Sequence, residues 1–156
     1  MSKASDVRDE LVTELSGHFP SRAVDPFILP RFERKELSDG ARIAVRNGGR
    51  EIRLDQGPDQ IDVIIEIAVV GITPENSGQT DVQYLSDEFA ACDGFDELME
   101  ELIQLWMNNG PLAYAGIAGH SLQNIEQAVQ FDAERLHREG VYLSMIRLTY
   151  RDSEDD

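Results

Sequence analysis

The stretch QIDVIIEIAVVGI (residues 60–72) decides the fold, because it reads as a long β-strand that is buried on both faces. Its first part alternates, with apolar side chains on one face at Ile61, Val63, Ile65, Ile67 and Val69. Toward its end both faces are apolar, which is typical of a strand in the middle of a sheet. The sequence therefore predicts a long central strand here.

A second stretch of the same kind lies near the end of the sequence. GVYLSMIRLTYR (140–151) is apolar, β-branched and aromatic enough for the middle of a sheet, and the acidic residues DSEDD (152–156) follow it. We predict a second central strand, which comes late in the chain but lies in the interior of the sheet, and an acidic tail over 152–156.

A hairpin is predicted upstream of the first central strand. ARIAVR (41–46) and REIRLD (50–55) both alternate apolar and polar side chains, and NGG (47–49) between them supplies the residues that a tight turn needs. The arginines of this hairpin are expected on one side of it or at its edge; they are Arg42, Arg46, Arg50 and Arg53.

Two helices are predicted from apolar spacing. In ASDVRDELVTELSGHF (4–19) the apolar residues recur with helical spacing, with Ser5 or Asp6 as the cap and Gly17 as the stop. DGFDELMEELIQLWMNNGP (93–111) has the strongest pattern, with Asp93 as the candidate cap. Its apolar positions are Phe95, Leu98, Met99, Leu102, Ile103 and Trp106.

The remaining segments connect these elements. Residues 1–23 hold the first helix and a connection, and the proline-containing stretch 20–37 is expected to be extended. We predict a long loop over 73–93 with a short helix near 82–89, a strand near 122–129, and one or two helical turns over 132–140. The fold class that follows is α+β: a mainly antiparallel β-sheet of four to five strands with flanking α-helices, in a single domain of residues 1–156.

Charge is unevenly placed along this chain of net charge −16. The 81 residues between Arg53 and Arg135 contain 16 Asp or Glu and no Lys or Arg, whereas residues 31–53 contain seven Lys or Arg and four Asp or Glu. This separation favours head-to-tail association of copies, although it is also what solubility alone would require. Binding to duplex nucleic acid is disfavoured, because a phosphate backbone would meet net repulsion.

No pattern of catalytic, cofactor-binding or metal-binding residues stands out, so we expect no enzyme, cofactor or metal. The three histidines are far apart in sequence and, with a single cysteine, make no zinc signature. Cys92, placed before a predicted helix, could have a lowered pKa, but no partner for it is evident. No signal core and no run of 18 apolar residues is present, which predicts neither secretion nor membrane spanning.

The order of these parts resembles the minor tail and tail-terminator (tail-completion) proteins of long-tailed bacteriophages. A basic, proline-flanked segment precedes the hairpin, a long strand and an acidic helix follow, and the end resembles the family pattern D-x-E-x-L … F/Y-x-S-x-[IL]-x-[IL]-T-Y-R. The resemblance covers about residues 24–151. The pattern falls on Asp132, Glu134, Leu136, Tyr142, Ser144, Ile146, Leu148, Thr149, Tyr150 and Arg151.

The resemblance implies a virion structural protein of the phage neck, assembled in the host cytoplasm. It implies a homo-oligomeric ring, commonly a hexamer, that caps the tail tube, ends tail polymerisation and docks the head connector or stopper protein. DNA would only pass through the lumen. As interface residues we expect the four arginines of 41–55 on one copy to face acids on the next; the nominated acids are Glu75, Asp81, Asp87 and Glu88.

Three alternatives stay open. Another head–tail joining component, a stopper or adaptor, would have similar size and the same general role. An acidic DNA mimic that inhibits a nucleic-acid-binding protein is disfavoured by the basic segment 31–53. An uncharacterised enzyme would require titratable side chains that converge in a pocket.

Overall fold

The computed structural model describes residues 2–27, 41–54, 60–73, 81–107, 110–112, 117–129, 136 and 140–152; the side chains at 81 and 84 are not among the described parts. These ranges contain two helices and five strands. In chain order they are α1 (Lys3–His18), β1 (Val24–Pro26), β2 (Arg42–Arg53), β3 (Gln60–Ile72), α2 (Asp81–Gln104), β4 (His120–Val129) and β5 (Val141–Asp152).

The five strands form one sheet in the order β1-β2-β3-β5-β4. β1 pairs parallel to β2, and all the other pairs are antiparallel. The two stretches predicted to be central, β3 and β5, lie beside each other in the interior of the sheet. The predicted α+β class, with a mainly antiparallel sheet and flanking helices, is confirmed.

Both helices pack on the same face of the sheet, which we call the helix face. Leu11 and Leu15 of α1 and Met99 and Leu102 of α2 are fully buried or nearly so against one strand face. That face is lined by the alternating residues predicted for β3, Val63, Ile65, Ile67 and Val69, and by Ile146 and Leu148 of β5. Burial of this apolar surface is the main source of stability for the fold.

The opposite side of the sheet, which we call the charged face, is divided in two along the strands. Near the end of β3 and the start of β5 it carries a small buried apolar cluster, made of Ala44, Ala68, Val70, Val141, Leu143 and Met145. Toward the β2–β3 connection it carries charged side chains that pair across the strands. Two of these, Asp62 and Glu66, are buried carboxylates.

The predicted hairpin turn at Asn47–Gly49 is wrong. Residues 42–53 form one continuous strand, and the pairing with β3 shifts by one residue, from Asn47 opposite Ile65 to Gly49 opposite Ile64. A β-bulge therefore lies where the turn was expected. Glycines suit it, because Gly49 has φ +116 and a Cβ on Gly48 would lie 2.8 Å from Glu66 Cγ.

The predicted loop over 73–93 is also wrong in its second half, because α2 begins at Asp81 and continues without a break to Gln104. The short helix expected near 82–89 and the strong helix after Asp93 are one element. Asp93 is therefore inside a helix and does not cap one.

The first helix begins earlier than expected. Its cap is Ser2, whose Oγ accepts a hydrogen bond from the Ser5 backbone N–H at 3.1 Å, so neither Ser5 nor Asp6 is the cap. The extended stretch after it contains β1. The helical turns predicted over 132–140 lie largely outside the described residues, as does the tail beyond Asp152, which itself ends β5.

Candidate functional site

A row of alternating charges crosses the charged face from β2 to β4. The strand register places Arg46 opposite Glu66, Glu66 opposite Arg147, and Arg147 opposite Glu126. The Glu66 carboxylate accepts from Arg46 Nη2 at 2.7 Å and from Arg147 Nη2 at 3.3 Å, and Glu126 accepts from Arg147 Nη1 at 3.3 Å. We call these four residues the ion-pair row.

A second ion-pair group lies closer to the β2–β3 connection. Arg151 binds the fully buried Asp62 with two bonds, Nε to Oδ1 at 3.0 Å and Nη2 to Oδ2 at 3.1 Å. Arg53 Nε lies 3.4 Å from Asp62 Oδ2 and its Nη2 lies 3.3 Å from Glu51 Oε1. Loss of Arg151 would leave the buried Asp62 with only the longer contact to Arg53, so its negative charge would be poorly compensated. This group of charges is therefore a structural feature of the sheet.

The four arginines nominated from the sequence therefore do not act as one basic strip. Arg46 and Arg53 bind carboxylates of their own protomer, and Arg42 lies 3.6 Å from Asp25. The expectation that all four share one side is wrong for Arg50: the bulge places it opposite Val63, on the helix face. Arg50 is exposed and forms no ion pair with any described residue.

Arg50 belongs to an exposed apolar surface where β2 ends and β3 begins. Ile52 pairs with Ile61 across the two strands, and Leu54 follows two residues after Ile52. These three apolar side chains are 52–68% exposed. We call Arg50, Ile52, Leu54 and Ile61 the hairpin-end patch.

A second exposed apolar surface lies on the first half of α2. Val82, Leu85 and Phe89, spaced i, i+3 and i+7, fall on one side of the helix and are 60–79% exposed. We call them the helix stripe. The described side chains from 82 to 94 are all exposed or only partly buried, and burial in the core begins beyond Phe95, at Leu98.

Acidic residues stand beside this stripe. Glu88 lies three residues after Leu85, and Asp93 lies four residues after Phe89, so both neighbour the stripe on the helix surface. Asp87, nominated from the sequence, is two residues from both Leu85 and Phe89 and thus falls on the opposite side of the helix, where it accepts a hydrogen bond from Gln83.

The other two nominated acids have less structural detail. Asp81 is the first residue of α2, and its side chain is not among the described ones. Glu75 lies outside the described residues. Of the four acids nominated from the sequence, Glu88 is therefore the one that the structure places beside exposed apolar surface.

The two apolar surfaces lie at opposite ends of the sheet, because α2 runs antiparallel to β3. Phe95, in the middle of α2, packs at the far end of β3, where a Cβ on Gly71 would lie 2.5 Å from its ring. Trp106, just after α2, lies near the start of β3: its Nε1 donates to Tyr150 Oη at 3.2 Å, and Tyr150 pairs with Val63. Residues 81–94, which span roughly 20 Å at 1.5 Å per residue, therefore lie at this far end of the sheet and beyond it.

Three described side chains, Cys92, Tyr142 and Tyr150, have raised pKa values, and burial is the main cause in each. Burial raises the pKa of the Tyr150 phenol well above its ordinary value, and the hydrogen bond from Trp106 offsets only part of this increase. Burial, together with the charges of Glu88 and Asp93, raises the pKa of the Cys92 thiol. The lowered pKa considered for Cys92 is therefore wrong, because this residue lies inside α2 and not before its first turn.

Among the described residues, no group of three or more His, Cys, Asp and Glu side chains is placed to hold a metal ion. None of the described helices combines the length and the apolar character that crossing a membrane needs.

The apolar members of both surfaces were not singled out from the sequence as functional. The sequence pattern makes Ile52 and Leu54 the apolar positions of a short strand in the predicted hairpin. It places Val82, Leu85 and Phe89 in a long loop with one short helix. The available signal was the helical spacing of these last three residues, which continues upstream of Asp93.

Comparisons with known proteins give little beyond this geometry. No family model matches the sequence, and no curated protein matches it. Among solved structures, the chain is similar to one described as "Virion of native gene transfer agent (GTA) particle", with 15% identity, a TM-score of 0.34, and coverage of 96% of this chain and 92% of that one. A likeness this low carries no argument about function.

Proposed function

We propose that the chain is a virion structural protein of the phage neck, of the tail-terminator type. In this role copies form a ring, commonly of six, that caps the finished tail tube and ends its polymerisation. The opposite side of the ring presents a docking surface to the head connector or stopper protein. The role is mechanical, without catalysis or a cofactor, and DNA only passes through the lumen.

One observation carries this proposal: exposed apolar surface is concentrated at the two ends of the sheet. Of the seven large apolar side chains that are exposed in the described part of the chain, six belong to the hairpin-end patch or the helix stripe. Apolar surface that is grouped in this way is typical of a protein that binds other proteins. A ring needs two different surfaces on each copy, since each copy contacts two neighbours.

The position of the family-like ending supports the same proposal. The resemblance implies a sheet protein with helices, and the pattern residues from Tyr142 to Arg151 lie in β5, an interior strand of the sheet. Tyr150 and Arg151 have specific roles there, because Tyr150 accepts from Trp106 of the segment after α2 and Arg151 holds the buried Asp62. These residues of the family-like ending therefore hold the sheet and the segment after α2 together.

The charge distribution fits the passage of DNA. With a net charge of −16, the copies of a ring would surround its lumen with a negative potential. Phosphate groups would then be repelled from the wall and not bound by it. The main basic groups of the charged face are neutralised within each protomer by Glu66 and Asp62.

The experiment is a polymerisation assay with the tail-tube protein of the same particle. Tubes would be grown in the absence and presence of the chain, and their lengths and ends examined by electron microscopy. We expect shorter tubes with one end capped by a ring. Tubes of unchanged length with bare ends would contradict the proposal, and binding to connector protein in that case would indicate a stopper or adaptor.

A further inference from the structure

We infer that the hairpin-end patch of one copy binds the helix stripe of the next copy, with Arg50 beside the acids that flank the stripe. This inference rests on the proposed ring and adds which surfaces form its repeated contact. The occupant of each surface is therefore a second copy of this chain. The contact is head-to-tail, so the same two surfaces are used at every interface.

Charge complementarity is the first argument. The hairpin-end patch pairs apolar side chains with Arg50, and the helix stripe pairs apolar side chains with Glu88 and Asp93. The other arginines of β2 are engaged with carboxylates of their own protomer, whereas Arg50 forms no ion pair with a described residue. In a chain this acidic, copies repel one another unless the contact brings basic and acidic groups together.

The geometry is the second argument. The patch lies at the β2–β3 end of the sheet and the stripe extends past the other end, with roughly 35 Å of strand between Ile61 and Ile72. The two surfaces therefore lie too far apart to cover each other within one protomer. Copies placed end to end cover both, and the series closes into a ring when the rotation between copies is a whole fraction of a full turn.

The shapes also fit. The stripe lies on a helix that stands clear of the core, so a neighbour can approach it from the side. The patch is a flat cross-strand pair with one further apolar residue, Ile52 opposite Ile61 and then Leu54. Three apolar side chains on each partner would form the dry centre of the contact, and the charges would lie at its rim.

The first test is a charge exchange, read as molar mass by light scattering under the condition in which the wild-type chain assembles. Arg50→Glu and Glu88→Arg are each expected to dissociate the assembly. The double variant, which restores opposite charges at every interface, is expected to recover it. Glu101→Arg, an exposed acid in the second half of the same helix, is the matched control and should leave the mass unchanged.

The second test distinguishes a head-to-tail contact from a symmetric one. Ile52→Asp disables the patch and Phe89→Asp disables the stripe, so each variant alone should be monomeric. Mixed together they should form pairs with twice the mass of a protomer and nothing larger, because only one intact patch meets one intact stripe. Met107→Asp, at an exposed apolar residue outside both surfaces, is the control and should assemble normally.

The outcomes separate this inference from the proposed function. A wild-type chain that never assembles, alone or on tube protein, overturns the ring itself. A wild-type chain that assembles while Arg50→Glu, Ile52→Asp and Phe89→Asp do so equally well overturns only the pairing of these surfaces. If Phe89→Asp assembles and Ile52→Asp does not, the contact is patch to patch and the inference is wrong.

Discussion

The Glu66→Gln substitution tests the role of the ion-pair row in the fold. Glutamine keeps the shape of the side chain and removes its charge. Its amide oxygen can still accept from Arg46, but its NH₂ group then faces the guanidinium of Arg147, so a donor meets a donor. The substitution removes one negative charge from between two arginines, while Glu126 keeps its contact with Arg147.

The magnitude follows from burial. Removing one partner of a fully buried ion pair costs about 3–5 kcal/mol. The Glu66 side chain is 6% exposed, but those of Arg46 and Arg147 are 26% and 40% exposed and can turn toward water, which lowers the penalty. We expect Glu66→Gln to lower the free energy of unfolding by about 2–3 kcal/mol. Glu126→Gln, at the exposed end of the same row, should cost about 0.5 kcal/mol.

The assay is equilibrium unfolding in urea, followed by the fluorescence of the single tryptophan, Trp106. The variants are compared at equal protein concentration, because assembly stabilises the folded chain by mass action. High salt should remove the effect of Glu126→Gln and leave most of the effect of Glu66→Gln, since buried pairs are screened less. If the two variants lose the same stability, the account of a buried, structural row is wrong.

Three further predictions concern the core and α2. Gly71→Ala should lower the free energy of unfolding by about 1–3 kcal/mol, because its Cβ would lie 2.5 Å from the Phe95 ring. Gly94→Ala, whose Cβ meets nothing within 4 Å, should raise it by about 0.5–1 kcal/mol. Thermal unfolding compares the two variants, and equal shifts in midpoint temperature would contradict this account of the packing. Tyr150→Phe should cost about 1–2 kcal/mol at neutral pH by leaving Trp106 Nε1 without its acceptor. Burial raises the pKa of Tyr150 in the folded chain above the ordinary 10.0, so the stabilisation by its neutral phenol is present below about pH 10 and is lost as the pH rises beyond that. In urea titrations above about pH 10 the wild type should therefore lose more stability than Tyr150→Phe. Cys92 should be alkylated by iodoacetamide more slowly in the folded chain than in urea at mildly alkaline pH, because its pKa is raised, and equal rates would contradict this.

The two central strands could be predicted from the sequence because their apolar composition indicates that they are buried. A strand that is apolar on both faces, as 60–72 becomes toward its end, has few stable positions outside the middle of a sheet. The same reasoning placed 140–151 in the interior although it comes late in the chain. The helical spacing of apolar residues predicted α1 and the second half of α2 in the same way.

The bulge in β2 could not be predicted from local pattern. Asn-Gly-Gly suits a tight turn and a bulge equally, because both need backbone conformations that glycine adopts readily. What decides between them is the partner strand: β3 is 13 residues long and can pair with the whole of 42–53. That long-range pairing is not visible in residues 41–55 alone.

The continuity of α2 was missed for a related reason. Asp93-Gly94 is typical of a cap and a break, yet Gly94 is not among the glycines with positive φ, so its backbone conformation is one that other residues adopt. A helical glycine costs about 1 kcal/mol relative to alanine, which the packing of the second half of the helix offsets. Propensity at one position is a weak guide when tertiary packing is strong.

The two proposed contact surfaces were only partly predictable. Charge separation along the sequence directed attention to β2 and to the start of α2, where the proposed contact surfaces lie. It gave no information on which charges pair within the protomer, because that depends on the register that places Arg46 beside Glu66 and Arg151 beside Asp62. The bulge then moves Arg50 to the other face, a consequence of the period-2 geometry of strands.

The most direct test of the central claim is the molar mass of the wild-type chain by light scattering, alone and with tail-tube protein, at low and high salt. The account predicts a closed assembly with a fixed whole number of copies, formed alone or on tube protein, that weakens as salt screens the contact of Arg50 with its acidic partners. A chain that stays monomeric under all of these conditions and ignores tube protein would contradict it.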